Sequence, residues 1–155
     1  MADSYTQGLK WLFYVNAGGA PGTDPDLVAS YTKVGLLISE SGTTSNDTVE
    51  VRHKDSGGYR TVVPTTLGSE ITISGYLCAD GQAGHTILRA AKDATALASK
   101  KIGWISSTGV STTEFQDRGE AYVIDYTWSR GTDEMATWEC TLSVIGAITT
   151  EAVPA

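Results

Sequence analysis

The sequence predicts a mainly β protein, a β-sandwich of about seven strands with one flanking α-helix. Apolar and polar residues alternate cleanly in the last third of the chain, and short apolar runs recur between Gly-, Pro- and Ser/Thr-rich breaks. The period changes to a helical one only once, after Asp80-Gly81. In Glu120–Trp128 the even positions Tyr122, Ile124, Tyr126 and Trp128 are large, with Asp125 and Thr127 between them. In Ala136–Val144 the even positions Ala136, Trp138, Cys140, Leu142 and Val144 are apolar, and Thr137, Glu139, Thr141 and Ser143 are polar. These two runs predict a β-hairpin around Ser129–Glu134, where Gly131 and Asp133 suit a tight reversal. Tyr122, Ile124, Trp138 and Leu142 are the expected core, because side chains two residues apart share a face.

The other elements follow in order. Lys10–Val15 reads as a strand, and Asn16–Pro25, with three glycines and two prolines, as a loop. That loop lacks the Lys-Ser/Thr pair of a phosphate-binding loop. Leu27–Glu40 is apolar again at Val34, Leu36, Leu37 and Ile38; Asp47–His53 alternates with Val49 and Val51 inward, and Ser41–Asn46 reads as the turn between them. Lys54–Gly68 has three glycines and Pro64 and reads as a long excursion, of the kind that carries function. Ser69–Leu77 is a further strand. The helical stripe is Ile87, Ala91, Ala94 and Ala98, widened by Leu88 and Leu97, with Asp80 as a candidate cap. Lys100–Ser106 returns to strand, and a Ser/Thr-rich link leads to Phe115. One domain over residues 1–155 is expected, with N- and C-terminal arms that stay mobile until held.

Hydrophobic residues make up 41% and charged residues 19%, a globular balance. No apolar run is long enough to cross a bilayer, and Met1–Thr6 has no signal-peptide character, so a cytosol-like compartment and no membrane partner are expected. For the same reason the Asn46-Asp-Thr48 glycosylation pattern carries no weight. The net charge of −7 argues against gripping nucleic acid, which needs clustered Lys and Arg, yet it suits a surface that DNA must pass without sticking. Cys78 and Cys140 are expected to be small buried hydrophobes, since the helix between them contradicts an immunoglobulin disulfide.

Chemistry is sparse. His53 and His85 have no Cys, Asp or Glu at metal-ligand spacing. The loop acids Asp24, Asp26, Asp133 and Glu134 lack the spacing of a calcium loop, and Gly-x-Ser-x-Gly is absent. No catalytic, cofactor or metal site is expected. Trp104, Trp128, Trp138 and several tyrosines leave a carbohydrate-binding sandwich as the alternative class, although the parity of Trp128 and Trp138 favours core packing.

Asn46-Asp-Thr-Val-Glu-Val-Arg-His-Lys-Asp-Ser-Gly-Gly-Tyr-Arg60 resembles a segment of the major tail tube proteins of long-tailed bacteriophages, with Tyr59 in place of that family's tryptophan. The resemblance continues through Pro64, Glu70–Gly75, the alanine-rich helix, Phe115, Gly119-Glu-Ala121 and Leu142–Gly146, and Val34–Glu40 suits the family's early strand. It implies a structural protein whose hexameric rings stack into a hollow tube for DNA passage. It implies a tape measure protein and a tail terminator as partners, and a place in the virion tail after assembly in the host cytoplasm. Non-contractile tails are the first expectation; contractile tails, gene transfer agents and type VI secretion share the fold. On this basis Glu50, Asp125 and Glu139 are expected to face the lumen. Lys54, Asp55, Gly57, Gly58, Tyr59, Arg60 and Pro64 are expected to form an inter-ring loop.

Overall fold

The computed structural model describes residues 11–17, 31–52, 57–77, 83–107 and 115–152. His53, Lys54, Asp55, Cys78, Asp80, most of the first glycine-rich loop and the terminal arms, all singled out above, lie outside these residues. The described elements are strands β1 (Leu12–Ala17), β2 (Thr32–Lys33), β3 (Leu37–Val51) and β4 (Thr61–Tyr76), helix α1 (Ala83–Asp93), a 3₁₀ turn (Leu97–Lys100), and strands β5 (Lys101–Ser107), β6 (Phe115–Ser129) and β7 (Thr137–Ala152). The seven strands make one antiparallel sheet in the order β2-β1-β5-β6-β7-β4-β3.

The layering of a sandwich comes from this one sheet curling over. Glu40 of β3 accepts a hydrogen bond from Ser106 of β5, although three strands separate them in the ladder. Phe13 of β1 and Ile73 of β4 belong to one core with Trp104, Trp138, Cys140 and Leu142. Phe13 and Trp104 stack with ring centroids 5.9 Å apart. Residues 102–107 of β5 are buried on both faces, because Tyr31, Ile105 and Tyr14 form a second, smaller cluster behind the strand.

Helix α1 covers the core with Gly84, His85, Leu88 and Ala91. A Cβ at position 84 would lie 2.7 Å from the Lys33 carbonyl oxygen, so glycine is what lets the first turn approach β2. The expected stripe therefore needs correction. The helix ends at Asp93, Ala98 falls in the separate 3₁₀ turn, and Leu97 is exposed. Leu88 and the ring of His85 have more surface to remove from water than the alanines, and they turn inward.

Three strand expectations are also corrected. Ser41–Asn46 is no turn, because β3 runs unbroken through it, paired to β4 residue by residue. Most of the expected excursion is strand: Thr61–Gly68 belongs to β4, and only the segment between Val51 and Thr61 reverses the chain. Pro64 sits opposite Thr48 beside a register shift, where a missing N–H costs least.

The third correction concerns the core of β6. Ala121 and Val123 are buried, then Tyr126, while Tyr122 is half-buried and Ile124 is 56% exposed. A register shift between Val123 and Asp125 leaves Ile124 as the extra residue of a bulge, so the inward parity changes from odd to even there. On β7 no such break occurs between Trp138 and Leu142, and Trp138, Cys140 and Leu142 are buried.

Candidate assembly surfaces

Three surfaces and one buried cluster hold the side chains relevant to function. The first surface is the outward face of β6, β7, β4 and β3. Partners across an antiparallel ladder point the same way, so Asp125, Thr141, Thr72 and Ser41 form one row, and Thr127, Glu139, Ser74 and Ser39 the next. Ser39 and Ser74 hydroxyls are 2.6 Å apart. These two rows carry Asp125 and Glu139 and no basic residue. Asp125 also accepts a 3.1 Å hydrogen bond from the backbone N–H of Tyr126, which holds its carboxylate at the bulge.

Glu50 does not belong to this face. It shares β3 parity with Glu40, on the opposite side from Ser39 and Ser41, and it lies nine residues beyond Ser41. Arg52 and Arg60 pair with it, the latter at 3.4 Å, so its charge is locally offset. Glu50 therefore does not share the ladder face of Asp125 and Glu139. Val49 and Val51, expected inward, are exposed.

The second surface is an arm. β4 pairs with β7 only from Glu70 to Tyr76, so Thr61–Ser69 and the β3 residues opposite them form a two-stranded ribbon with no third strand. It extends about 30 Å at roughly 3.3 Å per residue. Nearly every residue of it is exposed, including Val49, Val51, Val62, Val63 and Leu67. Gly57 and Gly58 have φ of 62° and 87° at its reversal, and Tyr59 beside them is 79% exposed. A lone two-stranded ribbon is marginally stable in water, and one with apolar side chains on both faces is built to be covered.

The third surface lies at the other end of β3. Leu36 and Ile38 are exposed there, and Trp128 of β6, expected in the core, is 54% exposed. Trp128 is on the same side as Tyr126 but at the margin of the helix, where the Arg89 guanidinium lies 5.6 Å from its ring centroid. Trp104 and Trp138 are buried, which removes both from any sugar-stacking surface.

The buried cluster lies between α1 and the sheet. The Tyr126 hydroxyl is 2.7 Å from His85 Nε2 and 2.8 Å from Nδ1, and the His85 ring stacks on Trp138 with centroids 5.3 Å apart. Trp138 donates its Nε1–H to the Tyr76 carbonyl at 3.2 Å. Burial, helped by the nearby Arg89 charge, holds the His85 pKa below the usual histidine value. The unfolded chain then binds a proton at position 85 more readily than the folded one, so the stability contributed by neutral His85 is present above about pH 6.5 and is lost as pH falls from there through the lower folded value. Glu40 acts in the opposite sense. Burial, partly offset by the Ser106 hydrogen bond and reinforced by Asp117, raises its carboxyl pKa, so it favours the fold as pH falls. Denaturant melts at pH 8 and pH 5 should show wild type losing more stability on acidification than His85→Leu. Equal losses would show that His85 is not the titrating group.

Burial, with the Asp125 charge adding to it, pushes the Cys140 thiol up to about 12, so it is protonated and unreactive at neutral pH. Among the described residues, no three His, Cys, Asp or Glu side chains cluster as a metal site.

A family model described as phage tail tube protein matches residues 5–150. The tail of an empty gene transfer agent particle with C6 symmetry is similar in structure, with a TM-score of 0.68 and 13% identity over 96% of this chain and 100% of that one. The SPP1 tail tube has a TM-score of 0.70 and 13% identity, over 96% of this chain and 80% of that one. The baseplate of the anti-feeding prophage gives 0.62 and 7%, over the whole of both chains. At these identities the likeness is one of fold. No curated protein matches the sequence.

Proposed function

We propose, from a chain that belongs to the phage tail tube protein family, that it assembles with itself into six-membered rings stacked as the hollow tube of a non-contractile tail. The observation that carries this reading is the arm, whose apolar residues on both faces have no cover within the chain. Such a segment gains its stability from a neighbour. The exposed outer edge of β3 is a second place where copies can join, and ring closure would remove it. The C6 symmetry of the gene transfer agent tail supports rings of six.

The face bearing Asp125 and Glu139 is assigned to the lumen. Its carboxylates, repeated around a ring, would repel phosphate and let DNA pass without specific binding. A tape measure protein inside the tube and a terminator at its end complete the proposed partners, with assembly in the host cytoplasm and residence in the virion tail. The role is structural and involves no catalysis.

Negative-stain microscopy of purified protein should show rings or tubes; featureless monomers at high concentration would overturn the reading. Asp125→Lys should leave tubes able to form, since exposed charges contribute little to folding. The same tubes should retain DNA in a salt-sensitive way. DNA retention equal to wild type would remove the lumen assignment while leaving the tube.

A further inference from the structure

We infer that the end face built from Leu36, Ile38 and Trp128 is the seat for the arm of a second copy of this chain, an inference that rests on the self-assembly proposed above. Leu36 is a non-glycine residue at φ 54°, a conformation that costs free energy for a branched side chain. Two features of β4 hold it there. The Tyr76 backbone N–H donates to the Leu36 carbonyl at 3.1 Å, and Gly75 has no Cβ where one would lie 2.5 Å from that same oxygen. The result of this strain is a leucine left 51% exposed. Ile38, also 54% exposed, joins two grooves. One runs past Thr127, Trp128, Trp138 and Glu139, and the other past Trp11, Leu12 and Leu36.

The occupant follows from shape and charge. Arm and seat lie at opposite ends of β3: Val51 is thirteen residues from Ile38, about 40 Å along a strand. A chain therefore cannot seat its own arm. The arm of one copy on the seat of the next makes a contact between two different surfaces, which repeats without limit and suits a tube. The charges are complementary as well. The arm tip carries Arg52 and Arg60 against Glu50, and the hairpin beside the seat carries Asp133 and Glu134 against Arg130. Arg89, behind the Trp128 ring, presents that ring's remaining surface outward.

Cysteine crosslinking tests the pairing. In a Cys78→Ser background, tagged chains carrying Val51→Cys are mixed with untagged chains carrying Ile38→Cys, assembled and oxidised. Both positions are exposed, and the buried Cys140 is unreactive, so the variants fold and the new thiols report. A tagged–untagged dimer that needs both substitutions is expected. Ile38→Asp should raise the concentration at which tubes form by about tenfold, as loss of one buried aliphatic contact does. Val51→Asp added to it should make little further difference, since the two residues share one contact. Tubes of normal appearance without the mixed dimer would overturn the arm-to-seat pairing and leave the tube reading intact. Wild-type protein that forms neither rings nor tubes would overturn the tube reading, and this inference with it.

Discussion

Leu142→Ala is expected to lower the stability of the protomer by about 2–5 kcal/mol, and Trp138→Ala by about 3–5 kcal/mol. Both side chains are buried in the main core, where β7 is flanked by β6 on one side and β4 on the other. Truncating Leu142 leaves a cavity against rigid strand backbones, which cannot close around it. Trp138 adds two specific losses: the Tyr76 carbonyl gives up its indole donor, and His85 loses one of the two rings against which it stacks. Denaturant melts measure both variants. Ile124→Ala, at the exposed bulge, should cost well under either. A cost for Leu142→Ala below about half a kcal/mol, or one for Ile124→Ala matching it, would contradict the register described here.

Removing residues 49–63 and joining the shortened strands with an Asn-Gly turn is expected to abolish long tubes while leaving a folded protomer. No described residue in that stretch is buried, and β3 and β4 remain paired from Leu37–Thr48 to Pro64–Tyr76. The shortened protomer should still melt as one cooperative unit, because no core residue lies in the described part of the deleted stretch. Microscopy then separates two roles. Isolated rings without tubes would assign the arm to stacking, whereas the absence of rings would assign it to closure as well. Tubes of normal length would remove the arm from assembly altogether.

The two outcomes bear on different levels of the molecule, and the sequence is legible to different depths at each. In Thr137–Val144 a period of two, uninterrupted by glycine or proline, is enough to identify Trp138, Cys140 and Leu142 as one face. The switch to helical spacing near Ile87 is enough to place a single helix on a β protein, because periodicity is a local property. The order of motifs from Asn46 to Gly146 is likewise legible as that of tail tube proteins. What the chain alone did not disclose is set by partner strands. Pro64, Gly57 and Gly58 read as a loop, yet pairing with β3 makes strand of Thr61–Gly68, and the apparent turn at Ser41–Asn46 is strand for the same reason. Ile124 continues the alternation of β6 perfectly and is nonetheless turned outward, since a bulge arises from a mismatch in residue count between two strands and neither strand shows it by itself. Glu50 leaves the face of Asp125, and Ile38 and Trp128 come to line one groove, only once the ladder registers are known. A strand's alternation determines which residues share a side; which side faces the core is decided by the neighbours across the ladder.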